Sequence, residues 1–229
     1  MPDDVKPRAY RSPRRAEGAA RTRERIVAAS RKLLQDNGYA GTTVTEVARA
    51  AGVSVDTLYS SVGRKPQLVL AVVDDILGEG QGAVPAAQRA YVARVQAAVG
   101  LRAKVAAYAS ALGRLQPEIA PLLRALAFAG AEDAACAAAF RQIDERRAAN
   151  MRLFAADLRT TGELRPDLDD AAVADLVWST NSWEYFDLLR RRGFTPSRYA
   201  THLADLWFRA LAADPTHTPP APARRRKPG

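Results

Sequence analysis

Apolar side chains recur every three or four positions along most of the chain, and the strict alternation of a half-buried strand is scarce, so the pattern predicts an all-α fold. Ile26, Ala29, Leu33 and Leu34 share one side of a first helix expected from about Ala20 to Asp36, which Asn37-Gly38 ends because both residues tolerate the left-handed conformation of a helix stop. Thr43 then caps a second helix beginning at Val44. Glu46, three positions later, is placed to reach back to the cap's own N–H. This helix is short: Val44, Val47, Ala48 and Ala51 form its inner face and Gly52 stops it. Ser54 caps a third helix that carries Leu58 inward and leaves Val55, Asp56 and Ser60 outside, and Gly63 ends it. Pro66 suits the first turn of a fourth helix over 67–77.

The string GEGQGAVP after Leu77 is the best candidate boundary within the globular part. Later breaks at Gly100, Gln116-Pro117, Gly130, TTGELRPDLDD and RRRGFTPS delimit helices near 86–98, 101–114, 118–129, 132–160, 169–190 and 196–212. The ends differ from the middle: residues 1–18 and 214–229 are rich in Pro and basic residues without period, and are expected as a disordered basic arm and tail. Between them, 19–66 is expected as a small helical domain and 67–213 as a larger one.

Two short helices joined by a tight Gly-containing turn, the second preceded by a Ser cap, make a helix-turn-helix. Such a unit lays its second helix in the major groove of DNA while the first crosses the phosphate backbone. Ser54, Val55, Asp56 and Thr57 are short enough for close approach to the groove floor, and Tyr59 and Lys65 place polar tips where phosphates would lie. The charge agrees: 34 Lys and Arg against 25 Asp and Glu leave +9, which favours polyanionic partners, nucleic acid first and an acidic membrane surface second.

The stretch TTVTEVARAAGVSVDTLYSSVGRK resembles the DNA-binding signature of the TetR family of transcriptional regulators, and the resemblance runs without a gap from about Arg23 to Val72. It rests on Ala51-Gly52-Val53-Ser54, Thr57-Leu58-Tyr59, Val62-Gly63 and Lys65; the chain departs from the usual pattern at Ser60-Ser61, Val62 and Pro66. The resemblance implies phosphate contacts from Thr43, Tyr59 and Lys65, a further one near Ser61, and base-facing positions at Thr45, Val55, Asp56 and Thr57 beside the Ser54 cap. Thr43 reads equally as a plain helix cap, and Tyr59 alternatively as a core aromatic. Asp56 either accepts from a cytosine amino group or is an acid favoured in a helix's first turn.

The last two expected helices are apolar nearly all round: Leu176, Val177, Trp178, Trp183, Tyr185, Phe186, Leu188 and Leu189 in one, and Tyr199, Leu203, Leu206, Trp207, Phe208 and Leu211 in the other. Such helices need cover on more than one side, either from a second copy across a two-fold axis or by central burial within one chain. TetR-like proteins dimerise through their last two long helices, which points to Trp183, Phe186, Leu189, Leu203, Leu206 and Trp207 as the homodimer interface. The resemblance also implies a pocket for a small apolar or amphipathic effector whose occupancy moves two DNA-reading heads out of register with half-sites about 34 Å apart. Tyr108, Phe128, Phe154 and Trp178 are the candidate lining, with ordinary core as the alternative for each.

The same composition narrows the other possibilities. The single cysteine, Cys136, excludes an internal disulfide and a Cys-cluster metal site, and His202 and His217 have no ligand-spaced neighbours, so no cofactor and no catalytic constellation is expected. The start lacks the apolar core of a signal peptide and no run reaches the roughly 20 apolar residues of a membrane span, so a cytoplasmic protein without a membrane partner is expected. The functional expectation is a ligand-responsive repressor that binds a palindromic operator as a homodimer. The alternative is a basic helical protein that coats nucleic acid or acidic membrane without sequence preference.

Overall fold

The computed structural model describes residues 13–213. Ten α-helices run in the order α1 (Pro13–Asn37), α2 (Val44–Ala51), α3 (Val55–Ser61), α4 (Lys65–Leu77), α5 (Ala90–Ala97), α6 (Leu101–Ala129), α7 (Ala134–Arg159), α8 (Asp170–Thr180), α9 (Trp183–Arg191) and α10 (Pro196–Leu211), with a 3-10 turn at Ala86–Gln88 before α5. The all-α expectation holds; among the described residues the only β-type pairing is a single bridge between Leu164 and Ala212. The described residues divide into two compact units that part at 83/84, inside the GEGQGAVP string after Leu77, and α4 falls in the first unit rather than in the domain expected over 67–213. Residues 1–12 and 214–229, which carry most of the expected arm and tail, lie outside the described residues. Residues 13–18, expected as disordered arm, are instead the first turns of α1, with Pro13 at a position where its missing N–H costs nothing.

In the first unit, Ile26 of α1, Val47, Ala48 and Ala51 of α2, Leu58 of α3 and Leu68 of α4 form one buried cluster. The starts of α2 and α3 are closed by neighbours in sequence. The α2 cap is the reciprocal Thr43/Glu46 box, and Ser54 accepts from the Thr57 N–H at 3.1 Å to start α3. Between them Gly52 sits at φ +64°, a left-handed conformation that lets its N–H return to the end of α2 and that a side chain would strain. Thr42, buried between α1 and α2, donates to the carbonyls of Leu33 at 3.0 Å and Gly38 at 2.8 Å, fixing how the chain leaves α1.

The second unit is built around α6, which is longer than its sequence suggested. Pro117 and Pro121 lie inside it, and the break expected at Gln116-Pro117 does not occur. Each proline removes an intrahelical hydrogen bond. The helix nevertheless continues because Leu112, Leu115, Ile119, Leu122, Leu123 and Leu126 are buried on both sides of the prolines, and tertiary burial outweighs the local cost. Tyr199, Leu203, Trp207 and Leu211, four residues apart, present one fully buried face of α10, the helix most extensively packed on α6. Their close approach requires Gly113, where an added Cβ would lie 2.9 Å from the Pro196 carbonyl oxygen and 3.0 Å from Ala200 Cβ.

The single helix expected over 169–190 is two. Asn181 leaves the helical path and Ser182 caps α9 by accepting from the Tyr185 N–H at 3.2 Å. The break turns Asn181 into the hub of a buried polar group. Its Nδ2 donates to the Tyr108 hydroxyl at 3.0 Å and lies 3.0 Å from Met151 Sδ, its carbonyl accepts from Gln116 Nε2 at 2.7 Å, and its Oδ1 accepts from Arg147.

Candidate nucleic-acid interface

Helices α2 and α3 and the Gly52 turn form a helix-turn-helix whose outer side is small and polar. On and beside α3, Ser54, Asp56, Thr57, Tyr59 and Ser60 are exposed, with Leu58 fully buried beneath them. Tyr59 is 47% exposed, so the core-aromatic alternative falls and its hydroxyl is on the surface side. Val55 is different from its neighbours: it is half-buried and packs against the apolar cluster rather than standing fully outward. Ser54 Oγ and Thr57 Oγ1 lie 2.8 Å apart and share a hydrogen bond, so both hydroxyls are pre-oriented by the cap.

Thr45 is exposed on the first turn of α2. Thr43 is a cap in full: its hydroxyl accepts from the Glu46 N–H at 3.2 Å and donates to Glu46 Oε2 at 2.8 Å, while its own N–H donates to the same oxygen at 2.9 Å. The hydroxyl and N–H of Thr43 hold the Glu46 carboxyl below its ordinary range. That carboxylate occupies the anion-favouring end of α2, where an approaching phosphate would have to share Thr43 with it.

Lys65 is half-buried, with its ammonium 4.2 Å from the centre of the Tyr39 ring. Tyr39 was not among the sequence-predicted residues; the available signal was an aromatic in the otherwise polar turn NGYAGT. A cation held over a ring is positioned while keeping its charge, a suitable state for meeting phosphate. Ser61 is half-buried, and its carbonyl accepts from Arg23 Nη1 at 2.8 Å, so the far end of α3 is closed by a cation from α1. The surface therefore groups Thr45, Ser54, Asp56, Thr57 and Tyr59 around α3 and the start of α2, with Lys65 beyond its far end.

The residues expected to line an effector pocket separate into two sets. Tyr108 and Phe154 meet edge to face with ring centres 4.8 Å apart and line a cavity of about 110 Å³ between α5, α6 and α7. Burial pushes the Tyr108 hydroxyl well above the ordinary tyrosine range, so it remains a neutral O–H. Phe128 is 69% exposed in the last turn of α6: two residues beyond the buried Leu126, it is rotated about 200° to the opposite face. Trp178 is not part of the cavity lining and instead lies 4.7 Å beneath the Arg147 guanidinium.

The expected interface residues separate likewise. Phe186, Leu203 and Trp207 are buried by their own chain, which leaves no surface of theirs for a partner. Trp207 stacks on Tyr108 at 5.6 Å and donates its indole N–H to Thr180 Oγ1 at 2.8 Å. Trp183, Leu189 and Leu206 are half-buried, and Leu188, Phe128 and the Trp183 ring add apolar surface near α9, Phe128 and Trp183 touching at 6.2 Å. Among the described residues no group of His, Cys, Asp and Glu is placed to hold a metal ion, and no helix is long and apolar enough to cross a membrane. His202 is hydrogen-bonded to the Tyr185 hydroxyl at 2.8 Å.

The first unit is thus a helix-turn-helix of the kind that DNA-binding proteins use. Residues 26–72 match the bacterial regulatory proteins of the tetR family. Solved structures extend the likeness in fold beyond this segment. A Rhodococcus sp. protein described as a TetR-family transcriptional regulator is 18% identical with a TM-score of 0.65, covering 85% of this chain and 100% of its own. A TetR transcriptional regulator from Chloroflexus aurantiacus is 20% identical with a TM-score of 0.60, over 86% and 100%. A transcriptional regulator from Saccharomonospora viridis in complex with choline is 15% identical with a TM-score of 0.62, over 85% and 100%. Among curated proteins, no sequence matches this chain.

Proposed function

We propose that this chain is a ligand-responsive one-component repressor that binds a palindromic operator as a homodimer and releases it when a small effector enters the second unit. The observation that carries the DNA-binding part is the doubly capped α2–α3 pair, whose exposed face of Ser54, Asp56, Thr57, Tyr59 and Ser60 is backed by the fully buried Leu58. Thr45, Asp56 and Thr57 face bases, and Tyr59 and Lys65 hold phosphates, with Thr43 sharing its cap role with a phosphate contact. The cavity against Tyr108 and Phe154 supports an effector site, as does the choline held by the similar structure from Saccharomonospora viridis. The apolar surface left by Trp183, Leu188, Leu189 and Leu206 on α9 and α10 supports pairing of two copies there.

The test is binding of a fragment carrying the protein's own promoter, measured by fluorescence anisotropy at fixed salt. Tyr59→Phe with Lys65→Ala removes two phosphate contacts worth about 1.5–3 kcal/mol each when charge-assisted, so affinity is expected to fall by about 100-fold or more. Unfolding midpoints should stay near wild type, because neither side chain is in the core. Unchanged affinity in this variant, together with loss of binding on removal of residues 1–12, would reject the repressor in favour of sequence-independent coating by the basic ends.

A further inference from the structure

We infer that the cavity between α5, α6 and α7 takes a neutral, largely apolar molecule about the size of one aromatic ring, entering ring first with its polar substituent left at the mouth. This rests on the ligand-responsive reading of the second unit and specifies its ligand.

The size follows from the space. The cavity holds about 110 Å³. A pocket of about 150 Å³ lined by apolar side chains admits benzene, so a single ring is the right scale and a long acyl chain or fused ring system is not. The walls are suited to a ring. Tyr91 and Tyr108 are within 14° of parallel with centres 6.3 Å apart, and Phe154 meets Tyr108 edge to face. Val92, Val95 and Met151 add to the apolar lining.

Neutrality follows from how the charged groups at the lining and the Tyr108 hydroxyl are committed. The Tyr108 hydroxyl accepts from Asn181 Nδ2 and points at Met151 Sδ, 3.6 Å away. Asp157 borders the cavity, but both its oxygens accept from Lys104 Nζ, at 3.0 and 2.9 Å. The same ammonium lies 3.3 Å from the Val95 carbonyl and 3.0 Å from the Gln96 carbonyl, so its donors are used. An anion entering would find no uncommitted cation, and a cation would find a carboxylate already neutralised. A hydroxyl or amide carried to the floor could take the Tyr108 O–H only by displacing it from Met151 Sδ. At the mouth, Gln96 is exposed and Asn150 half-exposed, and both side chains can serve a polar substituent there without any internal bond being broken.

The probe is benzyl alcohol, compared with decan-1-ol and choline, titrated into the full-length protein by isothermal titration calorimetry and then into its complex with the promoter fragment. Benzyl alcohol is expected to bind one site per chain with a negative heat-capacity change. Val92→Phe, which fills the cavity, should weaken it at least tenfold, and Ala87→Leu, which narrows the mouth from an exposed position, should do the same if Val92→Phe fails to fold. No saturable binding of benzyl alcohol, or binding indifferent to a folded filling variant, would overturn the inference. So would tighter, Val92-sensitive binding of choline or decan-1-ol. The two readings separate in the DNA arm: benzyl alcohol that fills the cavity without loosening DNA leaves the ligand class standing and removes ligand response. Release by decan-1-ol or choline alone does the reverse.

Discussion

The helix-turn-helix caps α2 and α3 within a turn, whereas the buried polar groups of the second unit pair across the chain. Arg23 to the Ser61 carbonyl and Arg31 to Asp75 are longer reaches of the first unit. In the helix-turn-helix, Thr43 pairs with Glu46 and Ser54 with Thr57, each three residues apart. In the larger unit, Asn181 reaches Tyr108, Gln116 and Arg147, Lys104 reaches Asp157, and Trp207 reaches Thr180. Even the start of α6, whose Gly100 has no side chain to cap with, is closed from afar, its Leu101 N–H donating to Glu163 Oε2 at 3.0 Å. The difference has a functional side. A reading head whose caps close within one turn can vary its exposed residues without disturbing its core. In the second unit, Asn181 ties Tyr108 directly to the α8–α9 break.

The largest expected effect tests whether that long-range wiring is also what holds the second unit together. Trp207→Ala removes a fully buried indole, its stack on Tyr108 and its bond to Thr180. The cost is expected at about 4 kcal/mol, read as a lower urea midpoint. Sedimentation velocity supplies the contrast: a residue of the interface alone would give folded, dissociated protein at an unchanged midpoint. Asn181→Ala comes next. It strips partners from Tyr108 and Arg147 while leaving the backbone carbonyl for Gln116, and should cost about 2–3 kcal/mol. Combined with Tyr108→Phe it should cost clearly less than the two separate losses added, since both delete one bond. Simple additivity would mean that the hub does not act as a unit.

The same contrast explains what the sequence revealed. The α2 and α3 boundaries were legible because their signals, Thr43 with Glu46, Gly52, and Ser54, act within the window that shows them. Pro117 misled because a proline announces a local cost, whereas the burial of Leu112, Leu115, Ile119 and Leu122 that overrides it depends on helices packed on α6 from later in the chain, α7, α9 and α10. The break at Asn181-Ser182 carries no Gly or Pro, and its reason, the buried contacts of Asn181, exists only after folding. Among site residues, the outward face of α3 followed from helical spacing around Leu58. Tyr39 under Lys65 did not, because the two meet only once α1 and α4 pack. Apolar circumference likewise indicated that α9 and α10 are covered on several sides, but not that α6 of the same chain covers Phe186, Leu203 and Trp207.

The smallest effect should come from the local side of the comparison, and its pH dependence makes it specific. Thr43→Ala removes the hydroxyl that accepts from the Glu46 N–H and donates to its carboxylate, a cap expected to be worth about 1 kcal/mol at pH 7. Glu46 is held below its ordinary pKa in the folded protein first by the Thr43 hydroxyl and then by the Thr43 N–H. A depressed carboxyl pKa stabilises the fold above the unfolded value, and the contribution disappears as pH falls through the folded one. The variant keeps only the N–H bond, so the gap between wild type and Thr43→Ala should narrow between pH 6 and pH 3 without closing, because the hydroxyl still accepts from the Glu46 N–H when the carboxyl is protonated. Urea midpoints at the two pH values measure it. A gap of constant size would mean that the Glu46 carboxylate is not bound to the hydroxyl in solution, leaving that hydroxyl's O–H open to a phosphate.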